Sequence, residues 1–338
     1  HPNNIAVDPY VTINDDDVKT LLQLLPEAYL RPLIDPNTWK GLTDIVMDVG
    51  RRPTLTYGSE RVYLFDSPIE PQPHAAHTTN SHRHAWNQSP EHIVVTKSHI
   101  EEVVDRLGGK QKFGSDNRAG TDGSLHRISA LRSRSGEILG LTCRVGKTIT
   151  GGAHSLSDVL LNGNKSILVL GAPGSGKTAL IREIARILSQ QSNVLVVDTS
   201  NEIAGDGDVP HKCIGHARRV QVPGAHSQDR LLIEVVQNHT PQVIVIDEIG
   251  RANEVHATRT VKQRGVRMIA SAHGDFRKLQ ANTQLSGLLG RTADVILPKG
   301  VHKTCRVESP TFDLVVELKA GVCVSSNGFG RSSEYVDI

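Results

Sequence analysis

Residues 171–178 read Gly171-Ala172-Pro173-Gly174-Ser175-Gly176-Lys177-Thr178, which satisfies the pattern GxxxxGK[ST] at every position. An apolar run at residues 167–170 precedes this stretch, and apolar residues at helical spacing follow it. A buried strand, a glycine-rich loop and a helix in that order form a phosphate site, since backbone N–H groups and the helix N-terminus face the anion. The stretch therefore predicts an α/β domain that binds a nucleoside triphosphate.

The loop divides into a backbone cradle and two side chains with separate tasks. Lys177 is predicted to bridge the β- and γ-phosphates, and the Thr178 hydroxyl is predicted to bind Mg²⁺. Backbone N–H groups hold the remaining phosphate oxygens. The predicted nucleotide contacts are Gly171, Ala172, Pro173, Gly174, Ser175, Gly176, Lys177, Thr178 and Ala179.

Two adjacent carboxylates end another apolar run, at residues 243–246. We predict that Asp247 orients the water shell of the Mg²⁺ ion. Glu248 is then placed to polarise a water for attack on the γ-phosphate, which favours hydrolysis over transfer to a small acceptor. The alternative is that Glu248 forms a structural ion pair with a neighbouring arginine.

A further polar group depends on the order of the strands. If the run at residues 266–270 lies between the phosphate-loop strand and the Asp247 strand, His273 emerges beside the γ-phosphate. There it would bond the phosphate and report its presence, and a capping or core histidine is the alternative. Glu202 follows the run at residues 194–197 and is predicted to face the same nucleotide.

The connection at residues 203–226 is long for a link between a strand and a helix, and long structureless loops usually carry function. Its basic residues include Arg218 and Arg219. Either one is a candidate arginine finger that acts across a subunit boundary. A solvated loop that faces a partner is the alternative.

Composition limits the other possibilities. The 338 residues are 38% hydrophobic and 22% charged, which suits one large or two ordinary folded domains. No stretch approaches the ~20 apolar residues of a membrane-spanning helix. A net charge of +2 without a polybasic block argues against a purely electrostatic binder of nucleic acid. Four scattered cysteines indicate reduced thiols in an intracellular compartment, and the start at His1 indicates a processed form or a fragment.

Short apolar runs alternate with helical segments from residue 166 onward, which is typical of a parallel sheet covered on both faces. The predicted strands lie at residues 167–170, 194–197, 243–246, 266–270 and 295–297, and the predicted helices at 178–188, 228–238 and 253–264. An antiparallel pair is predicted at 304–308 and 312–318. The predicted domain spans residues 158–319, after a linker at 149–157 and before a loose tail at 320–338.

Residues 1–148 predict a smaller α+β domain. One helix carries Val18 and Leu21 on its apolar stripe, several period-two strands follow, and a second helix begins with a capping box at Ser98. Residues 67–97 are predicted to be a flexible insertion, because residues 67–92 hold four prolines and five histidines among polar side chains. The five histidines are candidate metal ligands, but no cysteine or carboxylate pattern accompanies them, which favours a polar loop.

Three stretches together resemble a known group of proteins. They are Val197-Asp198-Thr199-Ser200-Asn201-Glu202-Ile203 with Gly205-Asp206-Gly207-Asp208, residues 243–250, and Ala272-His273-Gly274. In this order they are similar to the plastid and cyanobacterial P-loop ATPase family of the hypothetical chloroplast reading frame type, which often ends in a nucleic-acid-binding domain with an Arg-x-x-x-His signature. That family is related to stage III sporulation protein AA and to the type II/IV secretion ATPases. The resemblance covers roughly residues 12–66 and 98–319.

The resemblance implies a RecA-like P-loop core after a PAS-like domain, ATP and Mg²⁺ as ligands, and a homo-oligomeric ring, a hexamer by analogy. In the relatives an acidic residue after the second strand activates water, so Glu202 competes with Glu248 for that role. Arg127, Arg132 and Arg144 are candidates to reach the nucleotide from the N-terminal domain, with a solvated strand face as the alternative. The insertion and the lack of an Arg-x-x-x-His domain after residue 319 depart from the family pattern.

These features predict a Mg²⁺-dependent ATP hydrolase, a ring-forming motor similar to secretion ATPases that remodels a macromolecular partner. One alternative is a nucleic-acid-associated ATPase of the plastid, with a single-stranded nucleic acid as the partner instead of a protein. Another is a nucleotide-binding scaffold with little turnover. A small-molecule kinase would need a mobile arginine-rich lid, for which the sequence offers no clear candidate. The predicted location is the plastid stroma, with the cytoplasm as the alternative.

Overall fold

The structure, a computed structural model, describes residues 12–14, 16–30, 33, 35–39, 41–58, 60–65, 93–223, 227–290, 292–297, 301–306, 308–319 and 322–326. The chain divides into two compact units. The first, called here the P-loop unit, comprises His1–Asn14, Thr148–Gly205 and Val209–Ile338. The second, called the N-terminal unit, comprises Asp15–Lys147 together with Asp206–Asp208.

Helices and strands are numbered in chain order. Up to residue 150 they are β1 (Thr12–Asn14), α1 (Asp16–Leu22), α2 (Glu27–Leu30), β2 (Asp44–Asp48), β3 (Thr54–Tyr57), β4 (Glu60–Tyr63), α3 (Lys97–Arg106), β5 (Arg118–Gly120), β6 (Arg127–Arg132), β7 (Ile138–Arg144) and β8 (Thr148–Thr150). Beyond it they are α4 (Ser157–Leu161), β9 (Ile167–Gly171), α5 (Lys177–Leu188), β10 (Val194–Asp198), β11 (Arg218–Gln221), α6 (Gln228–His239), β12 (Val243–Ile246), α7 (Ala252–Gln263), β13 (Arg267–His273), α8 (Phe276–Ala281), β14 (Thr292–Leu297), β15 (Val301–Arg306), β16 (Leu314–Lys319) and β17 (Val322–Ser326). Short 3₁₀ helices lie at Pro36–Trp39, Lys110–Lys112, His154–Leu156, Lys212–Ile214 and Ser286–Leu289. In these described ranges, none of the helices has the length and apolar character that crossing a bilayer requires.

A seven-stranded sheet in the order β11-β10-β12-β13-β9-β16-β17 forms the centre of the P-loop unit. Neighbouring strands run parallel except for the antiparallel pair β16 and β17. Every residue of β9, β10 and β12 is buried, as their continuous apolar runs predict. β13 lies between β12 and β9, and its register pairs His273 with Gly171 at the carboxyl end of the sheet. The strand order on which the placement of His273 depends is therefore confirmed.

Three predictions about the strands are wrong. The run at residues 295–297 belongs to β14, which pairs antiparallel with β15 in a separate two-stranded sheet. β16 lies parallel to β9 instead of pairing with the strand before it, and its antiparallel partner is β17, within the predicted tail. β11 adds an edge strand inside the predicted structureless loop. Apolar periodicity identifies strands but not their partners, and an edge strand lacks the apolar run of a buried one.

The N-terminal unit contains an antiparallel sheet in the order β4-β3-β2-β7-β6-β5. Alternate residues of β2, Ile45 and Met47, are fully buried in one core with apolar residues of α1 and α3. The helix that the sequence predicts near residue 98 is α3, but its cap is Thr96 instead of Ser98. Thr96 Oγ1 accepts the N–H of His99 at 3.3 Å, and the His99 ring accepts the N–H of Thr96 at 3.3 Å in return.

The predicted insertion is only partly described. Residues 67–92, with their five histidines, lie outside the described residues. Val95 is buried, donates its N–H to the Arg51 carbonyl at 2.8 Å and accepts the N–H of Gly50 at 2.8 Å. The helix α3 begins at Lys97, inside the predicted range. The described end of this segment therefore packs on the N-terminal sheet.

Arg267 interrupts the apolar run of β13, and its contacts explain its presence there. The residue is 7% exposed. Its guanidinium donates to the carbonyls of Lys165 at 2.9 Å, Leu160 at 2.9 Å and Val159 at 3.3 Å. Burial lowers the pKa of this guanidinium. Two of the three acceptors belong to α4, at whose C-terminus a cation is favourable.

We predict that Arg267→Met lowers the free energy of unfolding by about 2–4 kcal/mol, because buried carbonyls lose their donors. Urea denaturation followed by circular dichroism measures the change. Arg264→Met is the matched control, since Arg264 is exposed just after α7 and its loss should cost less than about 0.5 kcal/mol. Equal stability of the two variants would show that the three hydrogen bonds of Arg267 contribute nothing.

Candidate functional site

The loop between β9 and α5 has the backbone conformation that a phosphate cradle requires. Gly174 and Gly176 have φ angles of 74° and 93°, which residues with side chains rarely adopt. A Cβ atom at Gly171 would collide with the Ser175 hydroxyl. Within the described residues, the buried Ser175 Oγ has no hydrogen-bond partner and no side chain caps the start of α5. Unsatisfied donors therefore gather at a helix N-terminus, where they fit an anion.

Lys177 is folded back into the same loop. Its Nζ atom donates to the carbonyl of Gly171 at 3.0 Å and to that of Ala172 at 2.9 Å. The same atom lies 3.3 Å from Nδ1 of His273, which arrives from the neighbouring strand β13. The residue is only 7% exposed, and its ammonium group is in contact with three polar atoms. The loop thus holds a cation among oxygen and nitrogen atoms.

Carboxylates surround this cation. Burial lowers the pKa of Lys177, while the charges of Glu248, Asp247 and Glu202 act in the opposite direction. The fold therefore brings all three predicted acidic residues within electrostatic range of the predicted lysine. Since Lys177 follows β9, Asp247 and Glu248 follow β12 and Glu202 follows β10, this meeting depends on parallel strands ending at one edge.

His273 joins the lysine to one of the carboxylates. Its Nε2 atom lies 3.1 Å from Oε1 of Glu248, and both side chains are about half exposed. The side-chain partner of Glu248 in the described part of the chain is therefore His273, whose Nε2–H donates to the carboxylate, and not an arginine. A polar line consequently runs from Lys177 through the imidazole ring to Glu248.

Asp247 is a buried carboxylate with a raised pKa. It is 5% exposed, and its Oδ2 atom accepts the N–H of Ser200 at 3.2 Å. Burial first, and then the charges of Asp198 and Glu202, raise its pKa to about 7. Burial makes the ionised form of this carboxyl unfavourable, and a cation bound beside it would stabilise that form.

The loop after β10 is fixed from two sides. Asp198 is fully buried and accepts the N–H groups of Glu202 at 3.1 Å, Ile203 at 3.1 Å and Ala204 at 2.8 Å. From α5, Arg182 donates to the carbonyls of Ile203 at 2.8 Å and Glu202 at 2.6 Å. The backbone of Glu202 is thereby held while its side chain is exposed. Sequence reasoning missed both roles. Asp198 accepts N–H groups four to six residues further along the chain, a contact that no spacing rule marks, and Arg182 reaches this loop from about twenty residues away.

Gln228 is another residue that sequence reasoning missed. It is 1% exposed at the start of α6, and its Nε2 atom donates to the Glu248 carbonyl at 2.9 Å. Its Oε1 atom accepts a hydrogen bond from the Thr199 hydroxyl. The side chain thus connects the loop after β10 to the backbone that carries Glu248. A glutamine at a helix start is common, so the sequence holds no signal for this role.

The two candidate arginine fingers lie on β11 in different surroundings. Arg218 is exposed. Arg219 is partly buried and its Nη1 atom donates to the Gly205 carbonyl at 2.6 Å, within its own unit.

The three candidate arginines of the N-terminal unit lie on β6 and β7. Arg132 donates to Oδ1 of Asn117 at 2.6 Å. Arg144 lies 3.2 Å from Oδ1 of Asp44, and Arg127 is opposite Arg144 in the register of β6 and β7.

The residues present fit a triphosphate with Mg²⁺. The loop supplies backbone donors, the Ser175 hydroxyl and the Lys177 ammonium for phosphate oxygens. Thr178, half-buried in the first turn of α5, and Asp247 supply oxygen ligands of the kind that Mg²⁺ prefers. Over the ranges that the structure describes, no group of three or more His, Cys, Asp or Glu side chains forms a metal site alone. Thr178 and Asp247 would therefore hold the ion together with phosphate oxygens and water.

We predict that Asp247→Asn stabilises the protein when Mg²⁺ and nucleotide are left out. A carboxyl whose pKa rises from 3.8 to about 7 on folding favours the protonated folded state, so its stabilising effect is lost as the pH rises from about 4 to about 7. The amide removes this cost, which is at most roughly 4 kcal/mol above pH 7. Thermal unfolding at pH 5 and pH 8 should show a larger gain at pH 8.

Asp275→Asn is the control with the opposite sign. The N–H of Lys278 donates to Oδ1 of Asp275 at 2.8 Å, and this bond lowers the pKa of the exposed carboxyl. Its amide variant should lose stability at pH 8 rather than gain it. If Asp247→Asn also loses stability at pH 8, the inferred cost of burying the Asp247 charge is wrong.

Sequence matches to known proteins cover most of this chain. A profile of the family described as sporulation stage III, protein AA, matches residues 131–293. Protein SEEDLING PLASTID DEVELOPMENT 1 of Arabidopsis thaliana is 41% identical over 313 residues, covering 89% of this chain and 41% of the Arabidopsis protein. The ycf45 protein of Cyanidium caldarium is 36% identical over 288 residues, covering 83% of this chain and 76% of the algal protein. The chain thus spans less than half the length of the Arabidopsis relative.

Among solved structures, the pilus retraction motor PilT with bound ADP matches with a TM-score of 0.52 at 14% identity, over 82% of each chain. At this identity the likeness concerns the fold alone, and it confirms the predicted RecA-like P-loop class. The motifs at residues 197–208, 243–250 and 272–274 resemble the chloroplast reading-frame family, and the Cyanidium protein matches at family-level identity over most of both chains. This chain is therefore a member of the ycf45 family, which is related to the stage III sporulation protein AA family.

Proposed function

We propose that the chain is a Mg²⁺-dependent ATP hydrolase. The observation that carries this proposal is the polar line at the carboxyl ends of adjacent parallel strands. Lys177 Nζ lies 3.3 Å from His273 Nδ1, and His273 Nε2 lies 3.1 Å from Glu248 Oε1. A phosphate-loop lysine and a carboxylate connected through a histidine supply both a grip on the phosphates and a base for water.

The residues divide the reaction among them. The loop N–H groups and Lys177 hold and orient the phosphates, while Thr178 and Asp247 hold Mg²⁺. The ion, when bound, neutralises the charge that develops on the β- and γ-oxygens. Glu248 accepts a proton from the attacking water. His273, bonded to both Lys177 and Glu248, links the state of the phosphate-binding lysine to the base.

Glu248 is favoured over Glu202 as the base. Glu248 is connected to Lys177 through one side chain, and its own carbonyl is held by Gln228. Glu202 contributes its negative charge instead, which raises the pKa of Asp247. The two carboxylates therefore take different tasks, one in proton transfer and one in the electrostatics of the metal site.

The proposal extends to an oligomeric motor that acts on a macromolecular partner in the plastid. Arg218 is exposed on the edge strand β11, so it is available to a neighbouring subunit, whereas Arg219 is bound to its own Gly205 carbonyl. PilT is named as a retraction motor, which supports motor activity on this fold. The name of the Arabidopsis relative refers to plastid development, which supports the plastid as the location.

Steady-state release of inorganic phosphate from ATP, with and without Mg²⁺, tests this function. Turnover should require Mg²⁺ and should need no added acceptor, which also excludes a kinase. Light scattering in the presence of nucleotide measures the mass of the assembly. Phosphate release no faster than that of Lys177→Ala would overturn the hydrolase and leave a nucleotide-binding scaffold.

A further inference from the structure

A cleft in the N-terminal unit combines three arginines with an aromatic ring. Arg51 and Arg52, in the turn between β2 and β3, and Arg61 on β4 line it together with Tyr63. Its volume of about 510 Å³ lies within the ~300–1,000 Å³ of small-ligand sites. None of its lining residues belongs to the nucleotide site of the P-loop unit, so it requires a separate explanation.

Strand register explains how these side chains meet. Thr54 pairs with Val46 on one side and with Tyr63 on the other, so the three side chains form one row across β2, β3 and β4. Arg61 lies two residues before Tyr63 on β4, and side chains two apart on a strand share a face. Ile45, adjacent to Val46, fills the core from the opposite face. The cleft is therefore on the face turned away from the core.

The aromatic ring and one arginine form a stacked pair. The guanidinium carbon of Arg52 lies 4.1 Å from the centre of the Tyr63 ring. Tyr63 remains 45% exposed, which is unusual for an aromatic ring in the part of the chain that the structure describes. A guanidinium plane on an aromatic ring offers a flat surface for stacking a nucleobase, and guanidinium N–H groups bond phosphate oxygens.

The charges in the cleft favour an anion. Against its three arginines the lining includes one carboxylate, Asp48. Asp44, opposite Thr56 and therefore in the row of Arg61, is already paired with Arg144 at 3.2 Å. The remaining positive charge would attract a carboxylate as well as a phosphate. The exposed stacking surface favours a nucleotide, because a nucleotide carries a base for stacking together with its phosphate. The carboxylate side chain of Asp or Glu carries no ring.

We propose that this cleft binds a nucleotide unit, whose base stacks on the pair Arg52 and Tyr63 while Arg51 and Arg61 hold its phosphate. The unit belongs either to a single-stranded nucleic acid or to a free nucleotide, because both present the same base and phosphate. This binding goes beyond ATP hydrolysis and does not depend on it.

The test uses the full chain carrying Lys177→Ala, so that the phosphate loop contributes little to the signal. Fluorescence anisotropy measures the affinity for a labelled oligothymidylate. Arg51→Ala combined with Arg61→Ala should weaken binding at least about tenfold and reduce the salt slope by about 0.7, because the two arginines neutralise one phosphate. Tyr63→Leu should weaken it at least about fivefold, whereas Tyr63→Phe should retain it. Arg134→Ala is the matched control, since Arg134 is exposed in the turn between β6 and β7 of the same unit.

Competition separates the two sources of the nucleotide. Displacement by thymidine monophosphate at concentrations similar to the oligonucleotide supports a free nucleotide, and displacement only at far higher concentrations supports a strand. Unchanged binding in the double arginine variant, or an equal loss in Arg134→Ala, overturns the site. Binding of a polyglutamate peptide without any nucleotide binding also overturns it and indicates an acidic protein partner. Thermal unfolding of each variant distinguishes lost binding from lost folding, and Tyr63→Leu provides a second test that keeps all three arginines.

Discussion

Lys177→Ala is expected to lower kcat for ATP hydrolysis by a factor on the order of 10²–10³. The ammonium is held between two loop carbonyls and His273, within electrostatic range of three carboxylates. Removing it leaves those carboxylates to repel the triphosphate, so nucleotide affinity should fall together with kcat. Phosphate release at saturating ATP and titration with a fluorescent ATP analogue measure the two effects.

Lys165→Ala is the matched control for this variant. Lys165 is exposed two residues before β9, so its loss removes one positive charge from the same unit without touching the loop. Its turnover should equal that of the unmodified chain, and both variants should unfold at similar temperatures. If Lys177→Ala retained more than about a third of the activity, the phosphate loop could not be the site of hydrolysis.

The sequence predicts the phosphate loop well because the loop is local. Its strand, its glycines and Lys177 follow one another within a dozen residues, and the structure places them with Gly174 and Gly176 in the left-handed region. The carboxylates of Asp247 and Glu248 are equally visible as the end of an apolar run. The position of His273 required an assumption about strand order, which the register of β13 with β9 supports.

The supporting residues of the site are not visible in the sequence. Arg182 binds carbonyls twenty and twenty-one positions further along the chain, and Gln228 binds the Glu248 carbonyl twenty positions away. Such contacts arise only after the parallel strands have brought their carboxyl ends together. Apolar periodicity does not predict these contacts, because neither a buried arginine on a helix nor a glutamine at a helix start follows a spacing rule.

The same limit applies to strand partners in the last third of the chain. Residues 295–297 form an apolar run like those of the parallel strands, yet β14, which contains them, pairs with β15 outside the large sheet. The run of β16 suggests a hairpin with the strand before it, but β16 inserts parallel to β9. Pairing depends on contacts between segments that are distant in sequence, and apolar periodicity does not encode such contacts.

Glu248→Gln is expected to lower kcat by about 10²–10⁴ while leaving ATP affinity almost unchanged. The amide keeps the size of the side chain and the contact with Nε2 of His273, but it cannot accept a proton from water. Glu202→Gln is expected to lower kcat no more than about tenfold, because Glu202 acts through its charge in this arrangement. Phosphate release and ATP titration of the two variants, at equal Mg²⁺ concentration, give the comparison.

The pH dependence separates the two carboxylates more sharply than the rates alone. Glu202 is one of the charges that raise the pKa of Asp247 to about 7, so its neutralisation should lower that pKa. Since Mg²⁺ requires the ionised form of Asp247, the acid limb of kcat/KM for Glu202→Gln should move to lower pH. Glu248→Gln should leave this limb in place, because Glu248 is not among the groups that shift Asp247. A greater loss of kcat in Glu202→Gln than in Glu248→Gln, with an unmoved acid limb, would transfer the role of the base to Glu202.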